Sequence, residues 1–274
     1  MLKDYRTMDS VKIIIQSLLN SAGDLTQPQQ KFLITLFSTL LISYGRANFT
    51  NLGRYSQRNE RTYRRQYQRS FNFMKFNQKL IERAIQPQSP VILAVDCSFI
   101  PKSGKQTYGI DYFYNGSASR AEKGLEVSAM AVVDVNHKTA YNLSVQQTPT
   151  GYSSSEKTEQ LETTRIDHYL GQLEATVPYL PNSLSYVVSD GFYSKAKWVN
   201  GVTNFKLEAI GKLRRDANLR DLNQEKYLGR GRPRKYAGKV DLSDYTNHNF
   251  NLVSQLSSGV DLYPLVVYSI SLKR

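Results

Sequence analysis

The sequence predicts an α/β protein: an all-helical front over residues 1–88, followed over residues 89–274 by a mixed β-sheet with flanking helices. Three observations predict it. Apolar residues recur at helical spacing from Asp9 to about Ile85. From Val91 the pattern changes to β-branched runs bounded by turn residues, as in strands buried on one or both faces. A length of 274 residues gives room for one large domain or two modest ones, and 40% hydrophobic with 22% charged residues argues for a folded chain.

The first helix, "MDSVKIIIQSLLNSA", has Asp9 or Ser10 as its cap. The second, "TQPQQKFLITLFSTLLISYG", has Thr26 as cap, Pro28 in its first turn and Gly45 as its stop. Its apolar stretch "FLITLFSTLLI" is too short to span a bilayer, so it reads as a buried helix and no membrane partner is expected. Next, "NFTNLGRYSQRNERTYRRQYQRS" places a short helix over Phe49–Tyr55, a turn, and a second helix over Asn59–Gln68, in the spacing of a helix-turn-helix. Arg58, Arg61, Arg65 and Arg69 recur every three or four residues and share one face, flanked by Arg64, while Tyr63 and Tyr67 share another and Glu60 is the one acid. Guanidinium groups bind phosphates or guanine edges bidentately, which points this helix at DNA. The plainer alternative is a solvated basic face over an aromatic core contact.

"VILAVDCSFI" is the first strand, and its apolar run ends on Asp96. "LEVSAMAVVDVN" and "TAYNLSVQQT" are the second and third, joined by a hairpin turn at 136–138. "SSSEKTEQLETTRIDHYLGQLEAT" reads as a long helix with Ser caps and Glu in its first turn. "SLSYVVSD" is strand four, "FYSKAKWVNGV" a short helix and "FKLEAIGKL" strand five. The order is β-β-β-α-β-α-β, with Asp96 closing strand one and Asp190 closing strand four. That is the topology of a ribonuclease H-like domain, in which those strand ends lie side by side.

Two neighbouring carboxylates repel unless a cation sits between them, and oxygen ligands suit Mg²⁺ or Mn²⁺. Paired metals activate a water or a 3′-hydroxyl and stabilise the leaving oxygen at phosphorus, so Asp96 and Asp190 are the candidate catalytic and metal-ligating residues. Each acid also has a plainer reading, Asp96 as a strand-ending turn acid and Asp190, in Ser-Asp-Gly, as a turn or helix-cap residue.

Charge points the same way. Lys and Arg total 36 against 23 Asp and Glu, giving a formal charge of +13 and a pI near 9.6, which favours a polyanionic partner, nucleic acid before a membrane. Lys102 and Lys105 follow Asp96 in "PKSGKQ" and could hold a phosphate. In "GRGRPRK", Arg230, Arg232, Arg234 and Lys235 surround a Gly-Arg-Pro core that can lie in an A·T-rich minor groove, or else form a solvated loop. The single cysteine, Cys97, excludes an internal disulfide and a cysteine-built zinc cluster. Trp198 reads as core.

The blocks "AVDCSFIPKSGKQTYG", "AEKGLEVSAMAVVDV", "VVSDGFYSKAKWV" and "GRPRKYAGKVD" together resemble the DDE-type insertion-sequence transposases of the insertion-sequence-four kind, in a bacterial branch with a short helical front domain. The similarity covers nearly the whole chain. It implies that Asp96 and Asp190 are the first two acids of the DDE triad. It further implies nicking at element ends, joining of freed 3′-ends to target DNA, a homodimer on paired ends, and a bacterial cytoplasmic, nucleoid-associated location. The family's third acid lies in a pattern of Tyr, two residues, Arg, three residues, Glu, six residues, Lys. After Asp190 the chain has only Glu208 and Glu225, and neither fits that pattern. The segment from about Lys212 resembles the start of the family's β-rich insertion, so the chain reads as a transposase cut short before its last catalytic helix. The rival readings are a DNA-binding remnant without enzymatic activity and a cellular ribonuclease H-like nuclease.

Overall fold

Five helices occupy the front of the chain, as the spacing of its apolar side chains requires: α1 (Leu2–Ala22), α2 (Gln27–Ile42), α3 (Phe49–Tyr55), α4 (Glu60–Tyr67) and α5 (Phe73–Ala84). The computed structural model describes the chain apart from residues 1, 24, 105, 153–162, 214–216, 224, 225, 228, 230, 242–251 and 257, and describes only the backbone of residues 2–8. By compactness the chain divides into two units, Met1–Thr158 with Gly171–Leu184 and Glu159–Leu170 with Ser185–Arg274.

In the first unit, local chemistry starts the helices. Asn48, Asn59 and Asn72 cap α3, α4 and α5, their side chains accepting the amides of Asn51, Thr62 and Lys75 at 2.8, 2.9 and 2.9 Å. Each such cap is worth roughly 1 kcal/mol. Thr26 precedes α2 in extended conformation, with Pro28 in the first turn where its missing N–H costs nothing. Asp9 and Ser10, expected as caps, lie inside α1, which begins at Leu2 because no Gly or Pro interrupts the residues before them. Nor is α2 buried throughout. Phe32, Leu33 and Leu36 are in the core, but Leu40, Leu41 and Ile42 are exposed, since a helix apolar all round can bury only the faces its neighbours cover. Leu19, Phe32, Leu36, Leu52, Tyr63 and Phe76 form the centre of this cluster.

Strand β1 (Val91–Pro101) runs antiparallel to β3 (Arg120–Asp134), from Val91 opposite Asp134 to Pro101 opposite Gly124. On the other side of β3 lie β4 (Thr139–Gln147) and, against its first residues, the short β2 (Asp111–Asn115), which sequence patterning did not reveal. The hairpin turn stands where expected, and Asp134 closes it by accepting the amide of His137 at 3.0 Å. Leu93, Met130, Val132 and Leu143 are fully buried. Helix α5 anchors to β4 through Asn77, whose Nδ2 donates to the Leu143 carbonyl at 3.3 Å.

Helix α6 (Arg165–Thr176) contributes residues to both units. The predicted start of that helix, 153–162, lies outside the described residues. Its described start is a reciprocal cap: Asp167 accepts from the Thr164 amide at 2.7 Å while the Thr164 hydroxyl accepts the Asp167 amide at 3.4 Å. Its later residues belong to the first unit, where Gln172 Nε2 donates to the Ser128 carbonyl at 3.2 Å.

The second unit carries β5 (Tyr186–Ser189), α7 (Ala196–Asn204) and β6 (Glu208–Gly211), a crossover that pairs β5 with β6 in parallel from Tyr186 opposite Glu208 to Ser189 opposite Gly211. Tyr169, Tyr193 and Trp198 are its buried aromatic centre, Tyr193 and Trp198 lying 4.7 Å apart. Gly201 lets α6 approach α7, since a Cβ there would meet Leu170 side-chain carbons at 2.4 and 2.7 Å. Beyond Lys212 the described elements are short strands: β7 (Leu219–Leu222) between β8 (Tyr236–Lys239) and β11 (Val267–Ser269), and a separate pair β9 (Ser254–Gln255) and β10 (Asp261–Leu262). Antiparallel and parallel pairs thus both occur, and the chain is a mixed α/β protein in which β2 is an addition to the expected order of strands.

Candidate metal and DNA-binding site

Asp96 does not close its strand. The strand β1 runs on to Pro101, and Asp96 sits opposite Ala129 within the ladder. The strand continues because β3 is long enough to pair with every residue up to Pro101, which no local pattern in β1 announces. Val91, Leu93 and Val95 face the core, which leaves Asp96 on the opposite, exposed side. Its Oδ1 accepts the Cys97 amide at 2.8 Å, and its other oxygen has no hydrogen-bond partner among the described residues.

Asp190 follows β5 directly and opens a 3-10 turn at Gly191–Tyr193. Its Oδ1 accepts the Phe192 amide at 3.0 Å, so the capping role read from Ser-Asp-Gly is real. The second oxygen again has no partner among the described residues. In each case one carboxylate oxygen is fixed by the backbone while the other stays available, and a hard oxygen donor of this kind suits a divalent cation. Each residue therefore fits a metal-ligand role by itself. Among the described residues no group of three or more His, Cys, Asp or Glu is arranged to hold a metal ion. Asp96 belongs to the first compact unit and Asp190 to the second.

The basic helix is shorter than its arginine series. Arg61, Arg64 and Arg65 lie on α4, with Arg58 in the turn before it and Arg69 after its end. Arg61, Arg65 and Arg69 are exposed and Arg58 is half-buried. Arg64 is engaged within the fold: Nε and Nη2 donate to Glu60 at 2.9 and 2.5 Å, and the guanidinium lies 5.4 Å from the centre of the Phe49 ring. Glu60, also hydrogen-bonded to Thr50, is held below the usual carboxylate range chiefly by Arg64. Tyr63 is fully buried, with its hydroxyl donating to Ser56 Oγ at 2.8 Å, so it belongs to the core. Tyr67 is exposed and packs edge-on against Phe49 at 4.9 Å.

Lys102 is exposed just beyond β1, while Lys105 lies outside the described residues. Arg232, Arg234 and Lys235 are exposed before β8 and border a cleft of about 720 Å³ with Tyr236 and Tyr268, whose rings stack at 5.1 Å. Arg230 and Glu225 lie outside the described residues. Glu208, the other late glutamate, opens β6 and is exposed. Trp198 is fully buried, as expected of a core residue.

Sequence reasoning passed over Lys195. Five residues after Asp190, it sets its ammonium 3.9 Å from the centre of the exposed Phe192 ring. Burial, then the positive charge of Arg165, lower its pKa. The signal was available in the "SDGFYSK" stretch as a cation next to an aromatic, but only the fold separates it from Lys197, which Asp167 neutralises at 2.5 Å.

No helix among the described residues is long and apolar enough to cross a membrane. No curated protein matches the chain. Among solved structures, the piggyBac transposase synaptic complex with hairpin DNA is similar at 13% identity, covering 76% of this chain and 42% of that one, with a TM-score of 0.35. Endonuclease V of Bacillus subtilis is similar at 14% identity, covering 56% of this chain and 61% of that one, with a TM-score of 0.28. Endonuclease V of Ciona intestinalis, solved with inosine-containing DNA, is similar at 15% identity, covering 49% and 53%, with a TM-score of 0.26. The chain spans less than two thirds of the length of each. A family model described as DDE superfamily endonuclease matches residues 28–255, most of the helical front and both candidate aspartates included, and the chain therefore belongs to the DDE superfamily endonucleases.

Proposed function

We propose that this chain is the transposase of an insertion sequence of the insertion-sequence-four kind, and that Asp96 and Asp190 hold a divalent cation, Mg²⁺ or Mn²⁺, at its cleavage centre. The observation that carries the reading is the family match across residues 28–255, which contains both exposed carboxylates. A ribonuclease H-like arrangement of β1, β3, β4, β5 and β6 would bring the two acids to one centre. When bound, the metal supplies an activated water or 3′-hydroxyl and neutralises charge on the leaving oxygen. The backbone amides of Cys97 and Phe192 hold each carboxylate in one orientation, so a ligand oxygen is presented with little side-chain entropy to lose. Arg61, Arg65 and Arg69, with Arg58 beside them, bind double-stranded DNA at the element ends. Arg232, Arg234 and Lys235 add contacts to phosphate or the minor groove, with Arg230 in the same run, and Lys102 and Lys105 lie after the first acid. A homodimer on paired ends is the expected assembly.

A second reading, favoured by the exposed Arg61, Arg65 and Arg69 on and beside α4, is a protein that binds DNA without cutting it. One experiment separates the two: incubate the chain and its Asp96→Ala variant with labelled element-end DNA and Mn²⁺. Nicking that Asp96→Ala abolishes supports the transposase, salt-sensitive binding without nicking supports the DNA-binding remnant, and cleavage without preference for element ends points to a general nuclease.

A further inference from the structure

Immediately after Asp190 the second unit forms a pocket of about 510 Å³ lined by Gly191, Phe192, Ser194, Lys195, Asn218 and Ser271, among others. Its chemistry is one-sided. Lys195 supplies an ammonium that makes no ion pair among the described residues, and Asp167 is already committed to Lys197. Asn218 accepts from Arg220 Nε through Oδ1 at 3.1 Å, which leaves its amide N–H₂ without a partner among the described residues. Ser271 adds a hydroxyl within 3.2 Å of Ser269 Oγ. Among the described residues that line the pocket, none is an acid. A pocket that offers an ammonium, an amide N–H₂ and a hydroxyl attracts an anion, and these donors suit the tetrahedral oxygens of phosphate.

We propose that Lys195, Asn218 and Ser271 form a phosphate-binding pocket beside Asp190 that holds a phosphodiester of the bound DNA strand, flanking the one to be cut. The inference rests on the nuclease reading of Asp190. Phe192 keeps Lys195 in place, since a cation 3.9 Å over a ring is attracted to its face. Lys195 is thus a positioning residue: it sets the strand against the carboxylate.

The test is salt-dependent binding of the full chain to a fluorescein-labelled duplex, read by anisotropy, beside binding of inorganic phosphate followed by phosphorus NMR. Losing one phosphate contact lowers the slope of log affinity against log salt by about 0.9. Lys195→Met should show that drop, Lys195→Arg should largely restore the slope, and Lys197→Met, whose charge Asp167 already neutralises, should leave it unchanged. Should Lys195→Met misfold by circular dichroism, Asn218→Asp serves instead, because an isosteric carboxylate in the pocket should weaken DNA binding several-fold. A wild-type slope in both folded variants overturns the proposal. So does loss of inorganic phosphate binding with the DNA slope intact, which would make this a site for free phosphate. If the unaltered chain binds no DNA, the nuclease reading itself fails.

Discussion

At Asp167 one carboxylate ties α6 to α7. Lys197 donates to it at 2.5 Å and the Thr164 amide at 2.7 Å, and together they lower its pKa from 3.8 to about 2. A folded value below the unfolded one means that the stabilisation is complete above pH ~4 and is lost as pH falls from there through the folded value. Urea midpoints measured across that window should fall with acidification in the native chain and fall less in Asp167→Asn; equal slopes would show that the pair does not couple to folding. Tyr63 offers a second test. Removing its buried hydroxyl in Tyr63→Phe leaves Ser56 short of a donor and should cost about 1 kcal/mol, whereas Tyr63→Ala opens a cavity and should cost about 3–5 kcal/mol. Asp96→Asn and Asp190→Asn should each weaken Mn²⁺ binding at least roughly tenfold by calorimetry while leaving the fold intact; an unchanged affinity would remove that residue from the metal site.

At the scale of the element, α4 makes the clearest distinction between charges that serve the fold and charges left for a partner. Arg64 is spent on Glu60 and Phe49, so Arg64→Ala should destabilise the α3–α4 packing and change the salt slope of DNA binding little. Arg61→Ala and Arg65→Ala should each lower that slope by about 0.9 with little loss of stability; the reverse pattern would mean that α4 is a structural helix with a solvated face. Between α6 and α7, Gly201→Ala would drive a Cβ into Leu170 and should cost on the order of 1–3 kcal/mol in thermal unfolding.

Across the whole molecule, a charge of +13 predicts DNA binding that weakens steeply with salt whether or not the chain cuts, so binding alone does not identify a transposase. The sequence by itself determined the helical front, the strands around α6 and α7 apart from β2, and the turn that carries Asp190, because periodicity and Ser-Asp-Gly are local signals. It also singled out the arginine series, because residues three and four apart must share a helical face. Only the tertiary structure decided that β1 continues past Asp96, since that depends on how far β3 extends to pair with it. It likewise put Tyr63 in the core, set Arg64 over the Phe49 ring, and left Lys195 rather than Lys197 facing a pocket with no acid among the described residues that line it. These outcomes turn on which residues distant in the chain come within hydrogen-bond or packing reach, and that is settled by burial, which no local pattern encodes.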